Sequence, residues 1–360
     1  MKNILSATLL GIAFVFGFAV FALAQSQSFR FRTPFVPTLG YAEFYVAQEL
    51  YWPKLNLDGQ TLPGKGSAAA VQTVAAGSEQ IGYSAMASVA GGIQEGLPIK
   101  IIAIGQRRDP AGLVFLKDSG IKELKDVRGK RIGNFPFGHT GAFLRIALKR
   151  AGVDEKAVQI VNVPPGGEIP LLLEKKIDAM AGFYLSQDVW INCRGGIEAA
   201  SIPFANFGLD MYGQAVYVNT KWAEQVGDDV ITRALLGIIR GSMLVKRDTE
   251  QAIRIVGKLN PGVQIDRFRE LSSLNTYVRW AWNPDSPVIQ KRGWGWIDDA
   301  EMKRTQQTIL EAGLVQKEID TNAYYTNKYL QDPQVSQAAM EWARSPWMET
   351  PDDVKKKCRL

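Results

Sequence analysis

The sequence predicts an α/β fold with mostly parallel sheets, on three observations. Short apolar runs of strand type alternate with helical stretches between residues 29 and 218, and repeated strand–helix–strand units of this kind build parallel sheets. The composition, 46% apolar and 22% charged, is that of a globular chain, without low-complexity stretches or short-period repeats. The length of 360 residues is enough for two domains, each with its own core.

Phe29-Arg30-Phe31-Arg32 alternates and reads as a strand, ending in a proline-rich loop over residues 33–40. Residues 41–50 read as a helix with Phe44 and Ala47 on one face, and Phe44 is assigned to the core. Residues 67–76 form a second helix, entered through Gly64-Lys65-Gly66, with Ser67 as N-cap and Gly77 as its stop. Ile81-Gly82-Tyr83 is a short strand that runs into Ser84-Ala85-Met86. Residues 99–104 and 113–116 are buried-type strands, and a turn at 126–130 leads to a strand at 131–133. Then come a helix at 140–151 closed by Gly152, a strand at 159–163, a helix at 169–175 and a strand at 178–183. Residues 215–218 are one more strand. Beyond them the chain is mostly helical, at 230–246, 249–259, 266–277 and 299–312, punctuated by Pro261, Pro284 and Pro287.

The N-terminus reads as a secretory signal peptide. Lys2 precedes an uncharged apolar run at residues 4–23, Ala22-Leu23-Ala24 is a small-residue cleavage signature, and polar Gln25-Ser26-Gln27-Ser28 follows. An uncleaved anchor is the alternative, because the run approaches a spanning length. With no cysteine near the cut, the mature chain is expected free in the periplasm. The formal charge is +6, from 42 Lys+Arg and 36 Asp+Glu. The basic residues are spread along the chain, so no nucleic-acid partner is expected, and Lys355-Lys356-Lys357-Cys358-Arg359 reads as a solvated tail. The two cysteines are Cys193 and Cys358; an oxidising compartment permits a bridge, and the sequence alone does not decide the pairing. Two cysteines and one histidine argue against a Cys/His metal site.

Several segments together resemble one family. They are Ala42-Glu43-Phe44-Tyr45-Val46-Ala47, the helix-to-strand element at residues 71–83, Gly96-Leu97-Pro98-Ile99, Ser119-Gly120-Ile121, residues 124–133, and Lys176-Ile177-Asp178-Ala179. In this order they resemble the periplasmic substrate-binding proteins of ABC importers, of the nitrate/sulfonate/taurine and thiamine-pyrimidine-precursor (NMT1/THI5-like) type. Trp294-Gly295-Trp296, Leu310-Glu311-Ala312-Gly313-Leu314-Val315 and Tyr325-Thr326-Asn327-Lys328-Tyr329-Leu330 are similar to the pyrimidine-precursor and riboflavin branch. In that branch a glutamate is expected shortly after the strand at 178–183, where this chain has Tyr184-Leu185-Ser186-Gln187. The resemblance implies a type II periplasmic binding fold: two α/β lobes, each a mostly parallel sheet flanked by helices, joined by two hinge crossovers. It divides the chain into a signal peptide at 1–24, a first lobe at 25–108 and 214–345, a second lobe at 109–213, and a tail at 346–360. It implies a small-molecule ligand and an inner-membrane ABC permease as partners, a monomer, and no cofactor.

Ligands of such folds sit between lobes at the carboxyl ends of strands. The candidate ligand-binding residues are therefore Phe35, Tyr41, Ser67, Ser84 and Met86 from the first lobe, and Phe137, His139, Thr140, Tyr184 and Gln187 from the second. The set is aromatic and neutral-polar, suited to sandwiching a flat ring and satisfying its heteroatoms. A small anion such as sulfonate or nitrate would favour a buried Arg or Lys, and the only basic residue in these loops, Lys65, reads as solvated. Bland roles compete. Ser67 and Thr140 suit plain N-caps, His139 a solvated or capping histidine, Phe137 lobe packing, and Trp294 and Trp296 the C-terminal scaffold.

Catalysis is not expected. The fungal thiamine-pyrimidine synthase that resembles these binders carries a Cys-rich motif that this chain lacks. The single His139 has no credible G-x-S-x-G partner, and neither a Walker loop nor G-x-G-x-x-G follows a strand. A sensor reporting to a membrane receptor would show the same lobes.

Overall fold

The computed structural model describes residues 26–135, 139–164 and 167–360. The expected signal peptide and Phe137 lie outside the described residues. Among the described residues, ten strands form two five-stranded sheets. They are β1 (Gln27–Arg32), β2 (Leu57–Leu62), β3 (Ile81–Ala85), β4 (Ile99–Gln106), β5 (Ala111–Leu116), β6 (Arg131–Asn134), β7 (Gln159–Asn162), β8 (Ala179–Phe183), β9 (Ala199–Pro203) and β10 (Gln214–Asn219). The first sheet runs β2-β1-β3-β10-β4 and the second β7-β6-β8-β5-β9. In each, one strand is reversed: β10 is antiparallel to β3 and β4, and β5 to β8 and β9, while β1 and β6 pair in parallel with their neighbours. The two sheets thus share one plan. The reversed strands are those the chain enters on crossing between sheets, from β4 to β5 and from β9 to β10. The crossovers lie side by side: the Asp109 amide donates to the Met211 carbonyl at 3.0 Å and the Gly213 amide to the Gln106 carbonyl at 2.9 Å.

Helices between strands are α1 (Ala42–Val46), α2 (Ser67–Ala75), α3 (Met86–Gln94), α4 (His139–Arg150), α5 (Glu168–Leu173) and α6 (Gln187–Cys193). After β10 come α7 (Thr220–Val226), α8 (Asp228–Arg247), α9 (Thr249–Leu259), α10 (Arg267–Ser273), α11 (Arg279–Trp282), α12 (Pro287–Arg292), α13 (Asp299–Glu311), α14 (Thr321–Tyr324), α15 (Pro333–Arg344) and α16 (Asp352–Cys358). No helix among the described residues is long and apolar enough to cross a membrane.

Two expected helices are interrupted. The one at 41–50 passes from α1 into a π-helical turn at Ala47–Tyr51, and the one at 266–277 passes from α10 into a π-helical turn at Leu274–Val278. Such turns are common where a helix must aim a side chain into a site. Strands β2 and β9 were not legible in the sequence. In β2, Asp58 and Gly59 depress strand propensity, yet Leu57, Gly59 and Thr61 face inward. Gly59 is required by packing, since a Cβ there would come within 2.3 Å of the Trp52 ring.

Phe44 is in the core as expected, stacked on Phe31 at 4.3 Å between ring centres. Trp294 is buried scaffold, and the Arg292 guanidinium lies over Trp296 at 4.8 Å. The C-terminal segment is corrected: it is not a solvated tail but a docked helix, α16, with Val354 and Cys358 buried and its aspartates and lysines turned outward. Apolar burial of one face decides this, where charge density alone suggested a free end. Cys358 forms a disulfide with Cys193 at the end of α6. Beside it the Arg269 guanidinium covers the Trp190 ring at 3.2 Å, and Trp190 Nε1 donates to Ser273 Oγ at 3.2 Å. The unit built on the second sheet is thereby held against the C-terminal helices.

Candidate ligand-binding site

The carboxyl end of β4 meets the amino end of β10 and the carboxyl end of β3, so Gln106, Gln214 and Ala85 lie in one row. A register shift between Gln214 and Ala215 marks this end of the ladder, a common device for re-aiming a side chain. The first turn of α1 brings Tyr41 and Glu43 to the same place, and the π turn after α10 brings Tyr277. Gln106 Nε2 donates to the Tyr277 hydroxyl at 2.7 Å, and the Gln214 side chain hydrogen-bonds Tyr41. Tyr41 meets Tyr83 edge-on at 6.1 Å, and Tyr83 leans on Phe44 at 4.8 Å.

This cluster is rich in unsatisfied polarity. Both carboxylate oxygens of Glu43, the Tyr83 hydroxyl, Gln106 Oε1 and Gln214 Oε1 are buried without a hydrogen-bond partner. Native interiors leave few such atoms, and each costs about 1–3 kcal/mol. Glu43 is 1% exposed, and burial pushes its pKa up to about 8 against a pull from its own backbone amide. Burial, and after it the Glu43 charge, raise the Tyr83 hydroxyl well above its ordinary value.

The crossover and the second sheet supply the facing side. Asp109 Oδ2 lies 2.9 Å from His139 Nε2, and Asp109 Oδ1 accepts the Ala111 amide at 2.9 Å. Burial lowers the His139 pKa, but the charge and hydrogen bond of Asp109 outweigh burial and raise it above the ordinary imidazole value. The ring sits 5.1 Å from Phe143 and 5.9 Å from Phe183. Tyr184 meets Trp280 edge-on at 5.0 Å, with the Arg108 guanidinium 5.5 Å over the same indole. Asp188 accepts from Ser201 Oγ at 2.7 Å, and Asn134 Oδ1, at the end of β6, is buried without a partner.

Of the residues expected at the site, Tyr41 lies in the unsatisfied cluster, and His139 and Tyr184 lie on the facing side. Gln187 does not reach out: its Oε1 accepts the Phe183 amide at 2.7 Å and closes the end of β8. Ser84 Oγ pairs with the Tyr217 hydroxyl at 3.0 Å and is fully buried. Ser67 is not the N-cap, which is Gly66; its Oγ accepts the Ala85 amide at 3.1 Å and ties α2 to β3. Met86 is enclosed in one apolar core cluster, Phe35 is half-buried against another, the one that contains Phe44, and Thr140 is buried in the first turn of α4. Lys65 is exposed, as expected. A surface groove of about 830 Å³ at Ser28, Asp58, Gln80 and Trp222 lies at the opposite, amino ends of β1 and β2 and shares none of these residues. Sequence reasoning missed Glu43, Tyr83, Gln106, Gln214 and Tyr277. A signal existed for Glu43, which stands alone among apolar neighbours in Ala42-Glu43-Phe44-Tyr45-Val46.

Two sheets of one plan, paired crossovers and polar groups gathered at facing strand ends define a two-lobed α/β protein of the periplasmic binding class. The structure is similar to the aliphatic sulphonate-binding protein SsuA of Escherichia coli, with a TM-score of 0.64 at 15% identity, covering 83% of this chain and 92% of that one. The same fold is shared with the desulfurization enzyme DszB, with a TM-score of 0.56 at 13% identity, covering 85% of this chain and 98% of that one. The NMT1/THI5-like family model matches residues 39–251, and the chain belongs to that family. It is 21% identical over 286 residues to a putative thiamine biosynthesis protein of Haemophilus influenzae, covering 79% of this chain and 87% of that one. It is also 21% identical over 241 residues to the riboflavin-binding protein RibY of Chloroflexus aurantiacus, covering 66% of each. The neighbours are mostly binding proteins of import systems.

Proposed function

We propose that this chain is the periplasmic solute-binding component of an ABC importer and that it captures a small, flat heterocyclic ligand between its lobes. The observation that carries this reading is the ring of tyrosines and amides at the strand ends, with buried polar atoms left unpaired. Aromatic faces take a ring, and the unpaired atoms satisfy its heteroatoms. The first lobe comprises residues 25–108 and 214–345 and the second 109–213. Hinge motion at the paired crossovers encloses the ligand and presents both lobes to a membrane permease. Export follows from the signal-type N-terminus, and the protein acts as a monomer without catalysis.

Among the described residues of the facing side, the basic groups open to the anion-binding alternative are Arg108, stacked on Trp280, and His139, already paired with Asp109. Around Tyr184 the carboxylates of Asp109, Asp188 and Asp210 oppose it. A donor-bearing ring is therefore favoured over sulfonate or nitrate.

The test is a thermal-shift screen of the purified mature chain with pyrimidines, purines, flavins, sulfonates, nitrate and amino acids. Ligand at 100 times its dissociation constant adds about 2.7 kcal/mol of apparent stability. Selective stabilisation by a flat heterocycle is the expected result; stabilisation by small anions alone overturns the ligand class.

A further inference from the structure

The unsatisfied groups at the first sheet differ in what they reveal. A glutamine amide can present either edge, so Gln106 and Gln214 leave the sign of the ligand open. Glu43 does not. Its two oxygens are acceptors when ionised, neither has a partner, and no arginine or lysine shifts it. The groups around it are phenolic or acidic: Tyr41 and Tyr45 beside it, Tyr83 from β3, Tyr277 from the π turn, and Asp109 beyond Tyr277. The helix packed on its far side brings no compensating charge: Gly241 of α8 lies against the Glu43 carbonyl, and the basic Arg240 and Arg247 act on Tyr51 instead. A buried carboxyl with no cation, and with only the pull of its own backbone amide, is costly as an anion.

We propose that Glu43 is the specificity-determining group of the cleft and that it takes the cationic nitrogen of the ligand, an amidinium or protonated heterocyclic N–H edge. The inference rests on the cleft reading given above and adds the charge of the ligand to it. Before binding, the carboxyl is kept neutral by burial. The arriving cation supplies the partner, the carboxyl ionises, and its proton leaves to solvent, so charge inside the site is conserved. Charge-assisted hydrogen bonds of this kind are about twice as strong as neutral ones. Tyr83 and the two glutamines, freed from nothing by the exchange, accept or donate to the remaining edge of the ring. An anionic ligand has no such exchange open to it.

The experiment is calorimetric titration of the mature full chain at pH 7 in phosphate and in Tris, whose ionisation enthalpies differ. The probes are benzamidinium and protonated 2-aminoimidazole, with uracil as a neutral ring and benzenesulfonate as an anion. The expected result is binding of a cationic probe with release of about one proton. Glu43→Gln abolishes the proton release and weakens the cation roughly tenfold or more, a larger loss than it causes for uracil. Tyr83→Phe, which keeps the carboxyl, retains the proton release. Equal affinity and equal proton release in Glu43→Gln overturn the inference. Binding of uracil or benzenesulfonate with none of either cation overturns it too, while the cleft reading stands. Binding of no probe at all overturns both.

Discussion

The two sheets are built to one plan, yet their facing ends are satisfied differently. Among the described residues at the end of the second sheet, Gln187 closes β8, His139 holds Asp109 and Asp188 holds Ser201, and Asn134 Oδ1 is buried without a partner. At the first sheet Glu43, Tyr83, Gln106 and Gln214 keep buried atoms unpaired. The plan of a sheet therefore fixes where a site lies and says little about which side does the recognising. In the function proposed above, the first sheet offers the hydrogen-bonding groups, and the second offers rings and a finished surface to close over them.

The largest expected effect tests the unpaired side directly. Glu43 has a folded-state pKa raised from 4.5 to about 8, so its neutral form stabilises the fold fully below pH 4.5, and that contribution is lost as pH rises through 8. Glu43→Gln is expected to match the native chain in stability at pH 4.5 and to exceed it by roughly 4 kcal/mol at pH 9, read by denaturant unfolding across that range. Identical pH profiles would mean that the first sheet is not strained by its carboxyl, and the contrast between the sheets would collapse.

Next in size is the tie at the second sheet. Cys193 and Cys358 are 165 residues apart, so Cys358→Ser is expected to cost about 2–5 kcal/mol by denaturant unfolding. Loss confined to protection of α6 and α16 in hydrogen exchange would show that the tie acts locally. Trp280→Ala should weaken a flat ligand by about 1–3 kcal/mol in calorimetry, with little change in proton release, because it removes a ring and no hydrogen bond. An unchanged affinity would take Trp280, the indole packed against Tyr184 of the facing side, out of recognition.

The smallest effect concerns His139, the one histidine in the sequence and hence a single NMR probe. Its raised pKa means that its stabilising charge is fully present below the unfolded value near 6.5 and is lost as pH rises through the folded one. Asp109→Asn should lower that pKa. A midpoint that does not move would show that Asp109 positions the crossover without governing the imidazole.

How far the sequence reached depended on whether a residue acts through its neighbours in the chain or across the fold. The apolar strands β4 and β5 and the helices α8 and α9 declare themselves locally, as does Phe44 by its place on a helix face. Ser67, Ser84 and Gln187 were placed correctly near strand ends, but their hydrogen bonds to Ala85, Tyr217 and Phe183 depend on register, which local pattern does not reveal. Tyr277 is 171 residues from its partner Gln106 and is aimed by a π turn with no sequence signature. Glu43 carries one local signal, its isolation among apolar neighbours in Ala42-Glu43-Phe44-Tyr45-Val46, which marks it as unusual without placing it at a site. Only packing by α8 and the turn into α1 makes it the most enclosed carboxyl of the first sheet's strand ends.

The disulfide between α6 and α16 makes a third covalent link between a unit that the chain enters and leaves by two crossovers and the helices that follow β10. Two links define an axis about which a body can swing, but a third, set off that axis, turns the swing into a short arc. The aperture of the cleft is then bounded by bond geometry instead of by the balance of contacts across it. In the function proposed above, a solute would pass in and out through an opening that the oxidised bridge narrows.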